Sequence, residues 1–338
     1  MAVSALLVSG CGEDKAGSVL EVSRVIGETG RQAGQFLYPR GMDHAEIDGR
    51  TLLVVVDKTA RIQLIDLETG ASVGSLRTPE FDLGMPTGLT VAPFPGEPGT
   101  PAVWVADTHE HRVIVYRLPF DHGGEPTEPD LAFGSYGYEP GQFIYPTDIA
   151  VRQDDGGQIV EVFVSEYGGN DRIQVFRFED GRPVFDRQIG ISGVAMDAPE
   201  DDPAALARPQ SVVLRGGELV VSDAGRHRVV RFDAALGSVL GWTDGAEALG
   251  GGPVEPLRFP YGLCLIDDRT ALVTEFGGSR LRLLDLDSGR TVRLIGTPGR
   301  GVGETATPWA GEVVGDELVI LDSGNDRIQV VPWSGVGR

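Results

Sequence analysis

Lysine is almost missing from this chain: Lys15 and Lys58 are the only two in 338 residues. Arginine supplies the rest of the positive charge and is itself outnumbered. Against 50 Asp and Glu stand 29 Lys and Arg, a net charge of −21. A surface of that sign repels a phosphate backbone, because nucleic-acid affinity depends on cations that displace counterions; no nucleic-acid partner is expected. Two cysteines, Cys11 and Cys264, give no disulfide framework. No apolar run approaches the roughly 20 residues of a membrane-spanning helix. No long window carries an apolar period near 3.6, which argues against a helical protein. A Gly-x-Ser-x-Gly elbow, a phosphate-cradling glycine loop and a metal-spaced cysteine pair are also missing.

Present instead are 48 glycines and 22 prolines, spread along the chain. They punctuate short apolar runs such as "TLLVVV", "AVWVA", "VEVFVS" and "ELVVS". Runs of this length, rich in β-branched residues and bounded by Gly, Asp or Pro, read as strands. The expected class is all-β. The length suggests about two domains, unless repeats hold it in one.

Repeats are there. An acid ends an apolar strand, and an arginine opens the next: Asp57 and Arg61, Asp107 and Arg112, Glu166 and Arg172, Asp223 and Arg228, Glu275 and Arg280, Asp322 and Arg327. Successive acids lie 50, 59, 57, 52 and 47 residues apart. A second element precedes each copy and is clearest in "GQFLYP" and "GQFIYP"; its prolines are Pro39, Pro86, Pro146, Pro209, Pro260 and Pro308. Proline suits the start of a strand, where no ladder N–H is lost.

These motifs resemble those of the NHL-repeat family of six-bladed β-propellers, from about Val19 onward. The resemblance implies six four-stranded blades over residues 19–338. Each would run inner strand A after the proline, B up to the acid, C from the arginine, and outer strand D. Nothing after Trp333 can make the last outer strand, so the N-terminal "SVLEVSRVIG" is expected to complete the sixth blade and close the ring, hiding an edge. The twelve paired residues are read as structural, since one active site would not need six copies. The acids should accept N–H groups of their own turns, and the arginines should meet them in charge-assisted contacts. Because the turns lie at blade ends, Asp223→Ala is expected to cost roughly 1–3 kcal/mol, between exposed and buried pairs.

Histidines are few: His44, His109, His111, His122 and His227. "HEH" at 109–111 imitates a zinc pair, but His111 and His227 belong to turns of blades two and four, too far apart to share an ion at about 2.0–2.1 Å. Solvent-exposed turn residues are expected. The blade motifs also resemble those of peptide-amidating lyases, which hold zinc on channel histidines. Here Tyr38, Tyr145 and Phe259 precede the prolines, and that activity is not expected. Asp43 and Asp148 follow blade prolines and can point into a channel, yet calcium wants six to eight oxygens. Cys264 is expected to be a buried, inert thiol. No catalytic residue, metal ligand or cofactor is assigned; a calcium or zinc ion in the channel stays open.

A partner is expected on the loop-rich face, where aromatics and arginine favour binding. Its candidate residues are Tyr38, Arg40, Tyr145, Asp148, Tyr167, Tyr261, Phe276 and Trp309, beside long loops at 191–207 and 243–256. For the tyrosines before proline, wedging between blades is an equal reading. Residues 1–18 resemble the end of a bacterial lipoprotein signal: Val8, Ser9 and Gly10 precede Cys11, the expected lipidation site, though no Lys or Arg precedes the apolar segment. The protein is therefore expected at the bacterial cell envelope, lipid-anchored and monomeric, binding a protein, peptide or glycan without catalysis. The alternative is a metal-dependent lyase or lactonase with its site in the channel.

Overall fold

The computed structural model describes residues 18–82, 85–179, 181–192 and 202–336. Six four-stranded antiparallel sheets stand as blades around a channel. The inner strands are Pro39–Ile47, Leu89–Phe94, Tyr145–Gln153, Pro209–Arg215, Pro260–Leu265 and Ala310–Val314. The fold is the expected six-bladed β-propeller. Its sixth sheet is completed by Arg24–Ile26, which pairs antiparallel with Arg327–Pro332, Ile26 opposite Ile328.

Strand B is apolar without alternation because both its faces are covered. In blade one, Leu52, Val54 and Val56 pack with Leu89, Val103 and Val105 of blade two. Leu53 and Val55, pointing the other way, pack with Val319 and Leu321 of blade six. Leu52 to Val56 thus all belong to one of two inter-blade cores, each side chain contributing about 1.5–3 kcal/mol by leaving water.

All six acid–arginine contacts form, at 2.8 Å in five blades and 3.1 Å between Glu275 and Arg280. They do more than close a hairpin. The arginine turns into the loop that enters its own blade and, in blades one, three, four and six, donates to its carbonyls. Arg112 and Arg280 meet the loop carboxylates of Glu80 and Glu255 instead. Arg61 reaches Arg31, Gln32 and Gln35; Arg228 reaches Pro203 and Ala205; Arg327 reaches Gly301 and Glu304. The acid accepts the amide two residues ahead of the blade proline: Leu37, Ile144, Ala207, Arg258 and Ala306. The expected partner, an amide of the acid's own turn, is found as well at Asp57, which accepts from Thr59. Each pair therefore holds a hairpin and fastens the incoming loop.

The residue before the motif arginine links blades. It is left-handed at Ala60, His111, His227, Ser279 and Asp326, a region in which His and Asp are over-represented. Asp326, His227 and Ser279 accept the backbone N–H of Tyr38, Phe259 and Thr307 on the next blade, at 2.6, 3.0 and 3.1 Å. His111 bonds the Ile144 carbonyl. His109, His111 and His227 are consequently half-buried, where sequence suggested free exposure, and their aromatic neighbours are Tyr145, Tyr136 and Phe259.

The two long loops part ways. Loop 243–256 runs along the outer strand of blade five, Leu249 donating to Thr291 and Thr291 to Glu247. Much of 191–207 lies outside the described residues, as does Cys11.

Candidate functional site

The inner strands enclose a cavity of about 380 Å³ along the ring axis. Because each inner strand starts within three residues of its blade proline, the residues around those prolines form one rim. Aromatic rings crowd there. Tyr261 stacks on Phe276 at 4.4 Å and meets Trp309 edge-on at 5.1 Å; Trp309 meets Tyr38 at 6.2 Å, and Tyr145 lies 5.3 Å from Tyr167. Two guanidinia tie these groups together. Arg40 lies 5.1 Å from the Trp309 ring and 5.9 Å from Tyr38; Arg208 lies 5.1 Å from Tyr167 and 5.8 Å from Tyr261. Seven of the eight residues expected on the binding face thus stand in one rim. Arg208 joins them unpredicted, and its place directly before Pro209, matching Tyr38 before Pro39, was the available signal.

Asp148 is the exception. It lies below the rim and is buried, accepting from Ser211 Oγ at 2.7 Å and from Val212 N–H at 3.0 Å. That bond stitches blade three to blade four. Asp43 does the same between blades one and two, accepting from Val91 N–H at 2.6 Å. Beside Asp43, His44 Nδ1 bonds Glu312 Oε1 at 2.6 Å, joining blades one and six. The ligand atoms of Asp43, His44 and Glu312 all lie within 4.8 Å of one another. Sequence reading missed Glu312 and the role of His44. A signal existed: Glu312 follows Pro308 by the same four residues that separate Asp43 from Pro39.

Burial sets the charge states. It pushes the Asp148 carboxyl up to about 7, against three hydrogen bonds and with the Asp43 charge adding to the rise. Glu312 rises to about 7 for the same first reason, opposed by His44 and helped by Asp43. His44 is raised to about 10 by its bonds to Asp43 and Glu312, against burial. Cys264, in the channel wall, is pushed up to about 12 by burial, so its thiol stays protonated and unreactive.

A pH test follows. A carboxyl raised in the fold favours the protonated native state, so its stabilising share is complete below about pH 4, the ordinary carboxyl range. It is lost as pH rises through the raised value of about 7. Asp148→Asn should therefore gain stability relative to the parent on going from pH 5 to pH 8, read as the difference between two denaturant midpoints. A difference that stays constant would reject the assignment.

Residues 206–232, running from the loop ahead of blade four through Pro209, Asp223 and Arg228, match the NHL repeat. No curated protein matches the chain.

Proposed function

We propose that this propeller is a non-catalytic binding protein of the bacterial cell envelope that takes the end of a protein, peptide or glycan chain into its channel mouth. One observation carries this reading: the rim of six aromatic rings and two guanidinia over a cavity. The blade repeat sets a proline here and, in five blades, a left-handed residue just before it (Tyr38, Met85, Arg208, Phe259 and Thr307), but neither aromatic rings nor arginine. About 380 Å³ is near the small end of ligand pockets, which run about 300–1,000 Å³, so a chain end suits it better than a folded surface.

Screening the protein against immobilised glycans and peptides tests the reading. The expected result is a set of ligands bound by the parent and lost by Trp309→Leu. Equal capture by both would put the binding site elsewhere.

Attachment to the envelope rests on the Val8-Ser9-Gly10-Cys11 motif. The protein expressed in its bacterial host should sediment with membranes, and Cys11→Ser should release it. A parent chain found unlipidated and fully soluble would contradict attachment.

A second reading, a metal-dependent enzyme working in the channel, is favoured by Asp43, His44 and Glu312. Elemental analysis of protein purified without chelators separates the two readings. Stoichiometric metal lost on His44→Ala would favour the enzyme.

A further inference from the structure

Buried polar side-chain atoms are almost always hydrogen-bonded in folded proteins, so those left without partners are informative. Among the described residues, four such atoms line this one cavity and its mouth: Arg40 Nε, Gln210 Nε2, Trp309 Nε1 and Glu312 Oε2. Gln210 is only 8% exposed. Three of the four are donors, carried by residues adjoining the blade prolines at the rim. The single acceptor, Glu312, stands four residues past its proline, farther down the channel.

Arg40 and Arg208 also lack an ion pair among the described residues, as do Arg31, Arg77, Arg182 and Arg300, while eighteen other arginines have one; only Arg40 and Arg208 stand among the rim aromatics. In a chain of net charge −21, two guanidinia without ion pairs at one opening offer charge-assisted bonds to an anion. Arg40 donates only weakly to the Met85 carbonyl and sulfur, both at 3.5 Å.

Extending the binding reading above, we infer that the mouth takes an acidic saccharide, its carboxylate on Arg40 and Arg208, a ring hydroxyl on Glu312 and its sugar face against Trp309 and Tyr38. A hydroxyl suits the deep position better than an ammonium, because His44 already supplies the cation beside Glu312. A peptide carboxylate would satisfy the arginines, but its backbone brings no ring for the aromatic walls and no hydroxyl for Glu312, whereas every sugar unit carries both.

Calorimetric titration of the full chain with digalacturonate tests this, beside cellobiose as an uncharged saccharide and trialanine as a peptide acid. Digalacturonate should bind one to one, and added salt should weaken it. Arg40→Gln should weaken it roughly tenfold or more, and Gln210→Leu should weaken it as well, both with unchanged melting temperature. Cellobiose binding equally well, or trialanine binding in place of digalacturonate, overturns the acidic-saccharide assignment and leaves mouth binding standing. Failure of all three probes overturns the assignment as well, and the array comparison with Trp309→Leu then judges mouth binding by itself.

Discussion

Glu275→Ala is expected to be the most damaging single substitution in the blades. Glu275 is wholly buried and receives both Arg280 and Arg282, at 3.1 and 2.8 Å. Arg282 has no exposed side-chain surface and is bound on its other edges to the Gly245 and Glu255 carbonyls and to Thr291. Breaking a buried pair from one side costs about 3–5 kcal/mol, because the surviving charge has no compensation. Glu275→Ala leaves Arg282 without a carboxylate partner and Arg280 with only the half-exposed Glu255, at 2.7 Å. It should reach the upper end of that range, against a total stability of about 5–15 kcal/mol for folded domains. Asp223→Ala belongs in the same range. The smaller loss expected from sequence assumed that a turn at a blade end is half in water. Asp223 is instead fully buried and Arg228 only 6% exposed, because the incoming loop folds over them. Burial is the largest influence on the Asp223 carboxyl and pushes it up, so the pair is a mutual necessity and not a large net gain. Asp223→Asn, which keeps an acceptor for the Ala207 amide, should fall between parent and alanine. Urea unfolding midpoints for the three proteins check the order.

Removing residues 1–28 should be nearly as severe, while removing 1–18 should change little. The difference lies in a few side chains. Ile26 is buried in the core between blades six and one, and Leu20 and Val22 pack on the core between blades five and six. Leu20 N–H also donates to the Gly303 carbonyl, and Ser23 N–H to Val330. Losing Ile26 alone costs about 2–5 kcal/mol on the scale of large-to-small core changes. The longer deletion also bares the strand Arg327–Pro332 as an open edge, a template for aggregation. Thermal melts of both truncations decide the point; equal melting temperatures would mean that the ring closes some other way.

What could be read from the sequence was whatever recurs. Six acids, six arginines and six prolines in register give blades, strand order and the closing strand, because each blade solves the same packing problem. Single events were harder to see. Glu312, His44 and Asp43 come from inner strands at opposite ends of the chain, and only ring closure brings blades six and one together. The amide partner of five of the six acids sits 16 to 22 residues upstream, beyond the reach of turn chemistry. The pairing of loop 243–256 with the edge of blade five could not be read either, because nothing local in the sequence announces it.

Central to the account is the separation of a structural set, the acid–arginine pairs, from a binding set at the channel mouth. Measuring ligand affinity and urea stability together, on Arg40→Gln and Asp223→Ala, tests that separation most directly. The prediction is that Arg40→Gln loses binding at nearly parental stability. Asp223→Ala should lose stability and bind normally at a temperature where it stays folded. Binding abolished by Asp223→Ala with stability intact, or untouched by Arg40→Gln, would contradict it.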